Sequence, residues 1–280
     1  MLLFRHRAAT TAHLHSMLRP RPHPVYLRRC LRALRDAGLA ESASRAHHPS
    51  VWALSRQGQG LVLSWPQFRG QHRYRPVGGN GGGRSTHTLT VTRTAVVFHE
   101  DAAVRGDEFT GMDWSVEVAH SIRDGAADGD RMLIADALMR YTRTSPHRSL
   151  LRAFVEVDRA TESSERLASK LISYARYHSG HPAAGSRRTG TEQSGIAPWQ
   201  RSYTAFPRIL FVLTGAGERA LAQRIADLQA MARQHPLVAH LTAQVPVGAA
   251  VLEHLEEQGA SAPVWSPVGV RGPLQNWMDL

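Results

Sequence analysis

The segment from Ala153 to Tyr174, AFVEVDRATESSERLASKLISY, limits the choice of fold more than any other part of the chain. Its first half is an apolar strand in which successive side chains alternate faces, so Phe154, Glu156 and Asp158 lie on one side. A charge buried without a partner is unfavourable, and a metal ion or a basic side chain is the usual remedy. The strand therefore predicts a metal site or a buried ion pair.

The second half of the segment is an amphipathic helix. Leu167, Leu171 and Tyr174 recur at helical spacing and define its buried stripe, and Lys170 borders that stripe. Lys170 is the only lysine of the chain, whose other Lys or Arg positions are all arginine. Lysine is a compact charge with an adjustable pKa, whereas arginine stays protonated. Lys170 is thus either a functional group or a solvated surface residue.

The net charge of the chain indicates which kind of partner it binds. The formal net charge is +11, which favours a polyanion, with double-stranded DNA first and an anionic membrane surface second. The single cysteine, Cys30, excludes an intramolecular disulfide and a zinc site built from cysteines alone. No apolar run reaches the roughly 18 residues of a membrane span, and the first residues lack a signal peptide, so we expect a cytoplasmic protein with no membrane partner.

Residues 1–66 have the element order of a winged helix-turn-helix domain. Thr10 or Thr11 caps a helix that runs through Met17, and a second helix follows from Val25 to Ala37. An apolar strand then begins at Val51, and a turn is predicted at two later glycines, Gly58 and Gly60. A winged helix normally has a full helix before this pair, and here only residues 1–6 precede it, so either the start of the chain is placed too late or the first helix is a stub.

The second helix of this domain carries arginines on its polar side. They are Arg28, Arg29, Arg32 and Arg35. In a winged helix this helix enters the major groove, and arginines contact phosphates and base edges. The alternative is a basic helix that faces only solvent.

Residues 67–86 form a glycine-rich linker. Gly78–Ser85 superficially matches a phosphate-binding loop with arginine in place of lysine, but no apolar strand precedes it. We therefore predict a hinge between domains.

Residues 87–270 form a second α/β domain, with a mobile tail at 271–280. Residues 86–104 are compatible with a strand or a helix. The later elements are strands at 114–120, 132–141 and 150–158, a helix at 163–178, a loop at 179–205 containing Arg187 and Arg188, a strand at 207–213, a long helix closed by Pro236, a strand at 238–243, a helix at 247–258 and a strand at 263–267.

With a helix at 86–104, the order α-β-β-β-α-β resembles the core of the PD-(D/E)xK nucleases, which restriction endonucleases share. These enzymes hold Mg²⁺ with acids on the second and third strands and use a lysine to assist the attacking water. Asp136 and Glu156 occupy those strands, Asp158 replaces the lysine expected after Glu156, and Lys170 would supply the charge from the helix. The catalytic candidates are Asp136, Glu156, Asp158 and Lys170, and the Mg²⁺ candidates are the three acids. In the alternative, the fold is degenerate and the acids pair with arginines or cap the helix.

Particular segments resemble the replication-relaxation family of actinobacterial plasmids and mobile elements. They are FVEVDRATES, KLISY, FPRILFVL and APVWSPV in the second domain, and ATTAHLHSML, LRRCLRALRDAGL and VWALSRQGQG in the first. The resemblance implies a role in plasmid replication and DNA relaxation, with replication proteins as partners. The residues of this chain that match positions of the family are Asp136, Glu156, Asp158, Lys170 and Tyr174.

Three hypotheses follow for the function. The first is a DNA-binding replication protein with Mg²⁺-dependent nicking activity. The second is a non-catalytic DNA-binding accessory or repressor, and the third is a protein-interaction adaptor.

Overall fold

The computed structural model describes residues 1–44, 49–71, 82–122, 131–180 and 197–280. The chain forms two compact units, Met1–Val116 with Arg140–Ser149, and Glu117–Met139 with Leu150–Leu280. Both contain helices and sheets, which confirms the predicted mixed α and β class. Arg187 and Arg188, with residues 181–196 around them, and half of the predicted linker, residues 72–81, lie outside the described residues.

The first unit begins with a small helical and β-sheet domain. Its elements are α1 (Leu2–His6), β1 (Ala9–Thr10), α2 (Thr11–Met17), α3 (Pro24–Asp36), β2 (Ala40–Ala43), β3 (Val51–Leu54), α4 (Arg56–Leu63) and α5 (Gly82–Arg105). Strands β1 and β2 both pair antiparallel with β3, so the sheet order is β1-β3-β2. A short 3-10 turn, Pro66–Phe68, follows α4.

Local sequence signals explain where α2 and α3 begin and end. The Thr10 hydroxyl accepts a hydrogen bond from the His13 amide, as the predicted cap requires. Pro24 stands at the start of α3, where a missing amide hydrogen has no penalty. Gly38 follows α3 with a φ of 71°, a conformation that favours glycine.

The core of this domain lies between the helix pair and the sheet. Leu14, Met17, Leu27 and Leu31 pack in one cluster with Trp52 of β3. Each such side chain contributes roughly 1.5–3 kcal/mol on burial. The leucine spacing of α3 predicts a stripe of Leu27, Leu31 and Leu34; the first two are buried, whereas Leu34 is 38% exposed.

The turn predicted at Gly58 and Gly60 is wrong, because both residues lie inside α4. The Ser55 hydroxyl caps this helix by accepting from the Gly58 amide at 3.0 Å. A Cβ at Gly58 would lie 2.0 Å from the Leu39 carbonyl oxygen. Glycine is needed there for close backbone contact, so it does not mark a chain reversal.

Helix α5 corrects both the linker and the domain boundary. It begins at Gly82, within the predicted linker 67–86, and resolves the ambiguity at 86–104 as a helix. The predicted second domain begins at 87, yet α5 belongs to the first unit. The buried Thr92 hydroxyl donates to the Ala8 carbonyl at 2.8 Å, and Glu100 pairs with Arg21 at 3.0 Å. These contacts join residues far apart in the chain, so no periodic pattern in the sequence of α5 indicates them.

We expect the first unit to lose stability in acid through His6. Its side chain is fully buried, its Nε2 lies 2.8 Å from the Gly111 carbonyl oxygen, and burial lowers its pKa to about 4. A folded pKa below the unfolded value of about 6.5 stabilises the protein fully above pH 6.5, and this contribution is lost as the pH falls toward 4. Urea unfolding should show that the native protein loses about 3 kcal/mol more over this range than His6→Gln. Equal losses in the two proteins would contradict this origin.

The second unit is built on a sheet with helices between its parallel strands. The elements that follow α5 are β4 (Trp114–Ile122), β5 (Arg131–Arg143), β6 (Ser149–Asp158), α6 (Ser164–Ser179), β7 (Arg208–Leu213), α7 (Glu218–Gln234), α8 (Pro236–Thr242), β8 (Val247–Val251), α9 (Leu252–Gln258) and β9 (Ser266–Pro267). The strand ends at 114–116, 140–143 and 149 belong to the first unit. Among the described residues the strand order is β4-β5-β6-β7-β8-β9. Strands β6, β7 and β8 are parallel, and β9 is antiparallel to β8.

The predicted strand at 238–243 is wrong, and the predicted helix at 247–258 is wrong in its first half. Residues 236–242 form α8, where Val238 and Leu241 are buried three positions apart. Val247–Val251 form β8 between β7 and β9, and only Leu252–Gln258 are helical. Alanine and glycine have low strand propensity, but pairing on both sides of a buried strand outweighs it.

The predicted mobile tail is also wrong. Trp277 and Met278 are buried, and the guanidinium of Arg208 donates to the Met278 and Leu280 carbonyls at 3.0 and 3.3 Å. The Leu280 side chain lies against Gly248 of β8, where a Cβ would be 2.5 Å from it. The tail therefore packs on the sheet. No described helix has the length and apolar character that crossing a membrane requires.

Candidate functional site

The acid of β6 and the basic helix behind it meet in the second unit. Strand β6 pairs in parallel with β7, and this register sets Glu156 opposite Phe211 in the middle of the sheet. Helix α6 follows β6 and presents Lys170 and Tyr174 one turn apart on the face that covers the strand. The predicted buried stripe of α6 is observed, with Leu171 and Tyr174 fully buried.

Glu156 has a partner for each of its carboxylate oxygens. The Tyr174 hydroxyl donates to Oε1 at 2.5 Å, and Lys170 Nζ lies 2.9 Å from Oε2. The Glu156 side chain is 4% exposed and that of Lys170 31%. Lys170 is thus no solvated surface residue but the ion-pair partner of a buried acid. Lys170 is therefore the basic partner that a carboxylate buried in this strand was predicted to require.

Asp136 of β5 adds a second carboxylate beside this pair. Its Oδ2 accepts a hydrogen bond from the Val157 amide at 2.8 Å, which fixes it against β6. Burial first, and the nearby Asp136 charge second, raise the pKa of Glu156 to about 8. Burial would lower the pKa of Lys170, but Glu156 and Asp136 outweigh it and raise this pKa. The structure therefore brings Asp136, Glu156 and Lys170 together.

Tyr174 keeps its proton in this environment. Burial, followed by the Glu156 carboxylate, raises the pKa of the Tyr174 hydroxyl well above its ordinary value. It therefore acts as a hydrogen-bond donor to Glu156. The sequence marked Tyr174 only through the family resemblance and the helical stripe.

Asp158 does not join the other acids. Arg224 of α7 forms an ion pair with its Oδ2 at 2.5 Å, and the Ala160 amide donates to its Oδ1 at 3.0 Å. The two side chains are 9% and 12% exposed. Asp158 thus holds α7 and the loop after β6, which is the arginine pairing named as the alternative for the acids.

Arg224 was not among the predicted site residues, although its position on α7 indicates a buried partner. It lies on the same face of α7 as Leu221 and Leu228, both buried. An arginine within the apolar stripe of a helix indicates a buried acid as its partner. This pattern indicates that the partner is an acidic residue, but it does not indicate that the partner is Asp158.

Within the described residues, no group of three or more His, Cys, Asp or Glu side chains is placed to hold a metal ion. Asp136 and Glu156 remain as two oxygen donors on neighbouring strands. Mg²⁺ is commonly held by one or two carboxylates, with water and substrate phosphate completing its shell. The carboxylate oxygens of Asp136 and Glu156 are ligands of the kind that Mg²⁺ prefers. A bound cation would compete with Lys170 and Tyr174 for the oxygens of Glu156.

The arginines of α3 form a separate candidate site in the first unit. Arg28, Arg29, Arg32 and Arg35 are all exposed, whereas Leu27 and Leu31 of the same helix are buried. Arg35 lies 3.3 Å from Asp36 in an exposed ion pair, and Arg32 Nε donates to the Arg28 carbonyl at 3.4 Å. The helix therefore presents concentrated positive charge to solvent.

Comparison with known proteins identifies the family. The profile of the replication-relaxation family matches residues 1–193, which include both candidate sites except for Arg224. No curated protein and no solved structure matches the chain. The match covers well over half of the sequence and bears out the resemblance. The chain belongs to the replication-relaxation family, and this membership indicates a role in the replication or relaxation of mobile elements.

Proposed function

We propose that the protein binds double-stranded DNA in plasmid or mobile-element replication, with α3 in the major groove. The observation that carries the proposal is the set of four exposed arginines on α3, a helix whose Leu27 and Leu31 are buried. The net charge of +11 supports a polyanionic partner. Replication proteins at the same DNA are the further partners that this role implies.

The arrangement of the first unit supports a winged helix-turn-helix. The chain runs α1-β1-α2-α3-β2-β3, with β1 and β2 on either side of β3. Helix α3 then acts as the recognition helix, and the β2-β3 hairpin acts as the wing beside the groove. The short α1 contributes Leu3 and Phe4 to the core, which supports folding despite its length.

Titration of a labelled duplex with the full-length protein, at several salt concentrations, tests this proposal. Phosphate contacts release counterions, so the affinity should fall steeply as the salt concentration rises. A protein that fails to bind duplex DNA even at low salt would refute the proposal and favour the adaptor hypothesis.

Mg²⁺-dependent nicking is a second candidate function, favoured by the meeting of Asp136, Glu156 and Lys170. The order β4-β5-β6-α6-β7 along the chain supports a PD-(D/E)xK-like core, with the acids on its second and third strands, although α5, the first helix of that order, belongs to the first unit. Asp136 and Glu156 would hold the cation, which would stabilise charge on the phosphate. Lys170 would orient the attacking water, and Tyr174 would fix the Glu156 carboxylate. Asp158, being paired with Arg224, would have a structural role.

Asp136→Asn tests this activity. If the protein nicks DNA, this change removes one charge from the cation site while the amide oxygen can still accept from Val157. Supercoiled plasmid incubated with Mg²⁺ or Mn²⁺ should be converted to the open circle by the native protein and not by the variant. Arg166→Ala, an exposed change on α6, is the matched control and should retain nicking.

Nicking that persists in Asp136→Asn would indicate a contaminating nuclease. If the native protein does not nick while it binds DNA, the core is a scaffold, as the non-catalytic alternative holds.

A further inference from the structure

The exposed side of α3 is divided into a central ridge and one arginine-rich shoulder. Leu27 and Leu31 mark the buried side. With about 100° per residue, Arg29 lies midway between them in sequence and about 180° from their mean direction. Arg28 and Arg35 lie about 60–80° from that direction, on one shoulder. The arginines of this helix are therefore in different positions relative to any groove that it enters.

The ridge carries a distinctive set of side chains. Val25 lies one turn before Arg29, about 140° from the buried direction, and is 53% exposed. Ala33 lies one turn after Arg29 and is also exposed, and its short side chain leaves room beside Arg29 at that position. Helical side chains lean toward the N-terminus, which brings the guanidinium of Arg29 toward Val25.

Arg29 is available for a ligand. None of its neighbours in the described part of the chain forms a hydrogen bond or ion pair with its guanidinium. Arg35 and Arg32 differ, because Arg35 pairs with Asp36 at 3.3 Å and Arg32 Nε donates to the Arg28 carbonyl at 3.4 Å. Val25, which is 53% exposed, keeps about half of its apolar surface in water and gains correspondingly little from burial in the fold.

We infer that Arg29 and Val25 read base edges, a guanine and a neighbouring thymine, while Arg28 and Arg35 hold the phosphates. This inference rests on the proposed binding of α3 in the major groove. The side of a recognition helix opposite its core faces the groove floor, and its shoulders face the two backbones. Arginine bonds guanine O6 and N7 with two donors, and an apolar side chain contacts the thymine methyl. Contacts to phosphate carry no direct sequence information.

Selection of duplexes from a randomised pool by the full-length protein tests the assignment. The native protein should select a guanine next to a thymine. Arg29→Ala should lose the preference for that guanine and bind the selected duplex on the order of 10- to 100-fold more weakly. Arg28→Ala has the same charge change on the same helix. It should retain every base preference, weaken binding to all sequences alike and reduce the salt slope by about 1.

Replacing the selected guanine with 7-deazaguanine removes its N7 acceptor and checks the contact at a single atom. The native protein should bind this duplex several-fold more weakly than the unmodified one, and Arg29→Ala should bind the two equally. Melting curves of the variants should match those of the native protein, because both arginines are exposed.

Two outcomes would overturn the assignment while leaving DNA binding intact. One is a selected site whose base preferences survive in Arg29→Ala, and the other is a native protein that binds all sequences equally. A native protein that binds no duplex would instead overturn the proposed function, and the assignment with it.

Discussion

Lys170→Met is expected to lower the free energy of unfolding by about 3–5 kcal/mol at pH 9. Lys170 Nζ lies 2.9 Å from Oε2 of Glu156, whose side chain is 4% exposed. Methionine keeps most of the apolar stem and removes the charge. Glu156 would then be a buried carboxylate with Asp136 as its electrostatic neighbour. Urea unfolding monitored by tryptophan fluorescence measures the loss.

At pH 5 the free energy of unfolding of Lys170→Met should be close to that of the native protein. Burial raises the pKa of Glu156 to about 8 in the folded protein, above the unfolded value of about 4.5. A raised carboxyl pKa favours the folded state most below pH 4.5, and this contribution is lost as the pH rises through 8. At pH 5 the carboxyl holds its proton, so loss of the lysine leaves no buried charge. We expect a difference from the native protein of under about 1 kcal/mol there.

Two further variants separate the buried pair from general effects on α6. Lys170→Met combined with Glu156→Gln should recover most of the loss at pH 9, because no charge remains to be buried. Arg166→Met removes a basic residue from the same helix, but its pair with Glu162 is exposed, with side chains 73% and 51% accessible. Its effect should stay within about 0.5 kcal/mol. Equal losses for Lys170→Met at pH 5 and pH 9 would contradict the account.

Replacing Arg28, Arg32 and Arg35 together with alanine is expected to weaken DNA binding at least about 100-fold near physiological salt. Each phosphate contact that is lost reduces the slope of log affinity against log salt by about 0.9, so the slope should fall by nearly 3. The three side chains are exposed, and therefore the fold should be unaffected. Fluorescence anisotropy with a labelled duplex at several salt concentrations measures both quantities.

A charge-matched variant is the control for this experiment. Arg166, Arg219 and Arg233 are exposed arginines of the second unit. Their joint replacement with alanine lowers the net charge equally and should reduce the affinity by less than about 10-fold, since distant charges are screened. If both triple variants lose the same affinity, net charge and not the α3 surface governs binding.

The sequence could predict those parts of the fold whose cause is local. Thr10 marked the start of α2, the leucine spacing of α3 marked its buried side, and alternation along β6 placed Glu156 and Asp158 on one face. Each of these signals depends on neighbouring residues or on the period of one element. The need for a partner to Glu156 was also predictable, because a buried carboxylate without one is unfavourable.

Lys170 was predicted to lie beside Glu156, but the exact contacts of the two acids could not be predicted, because they depend on how separate elements pack. Lys170 and Tyr174 reach Glu156 only after α6 folds back over β6, and Arg224 reaches Asp158 from α7. The place of Asp158 on the same strand face as Glu156 predicted that it is a metal ligand, whereas the structure separates it from Asp136 and Glu156. Strand order and register decide such pairings, and no local pattern encodes them.

By itself, then, the sequence determined the element types with strong periodicity, the basic character of α3 and the family. The tertiary structure alone decided that Val247–Val251 is a strand, that the tail packs on it, and that α5 belongs to the first unit. The physical reason is common to all three. Their local propensities are weak or contrary, and contacts with residues distant in sequence outweigh them.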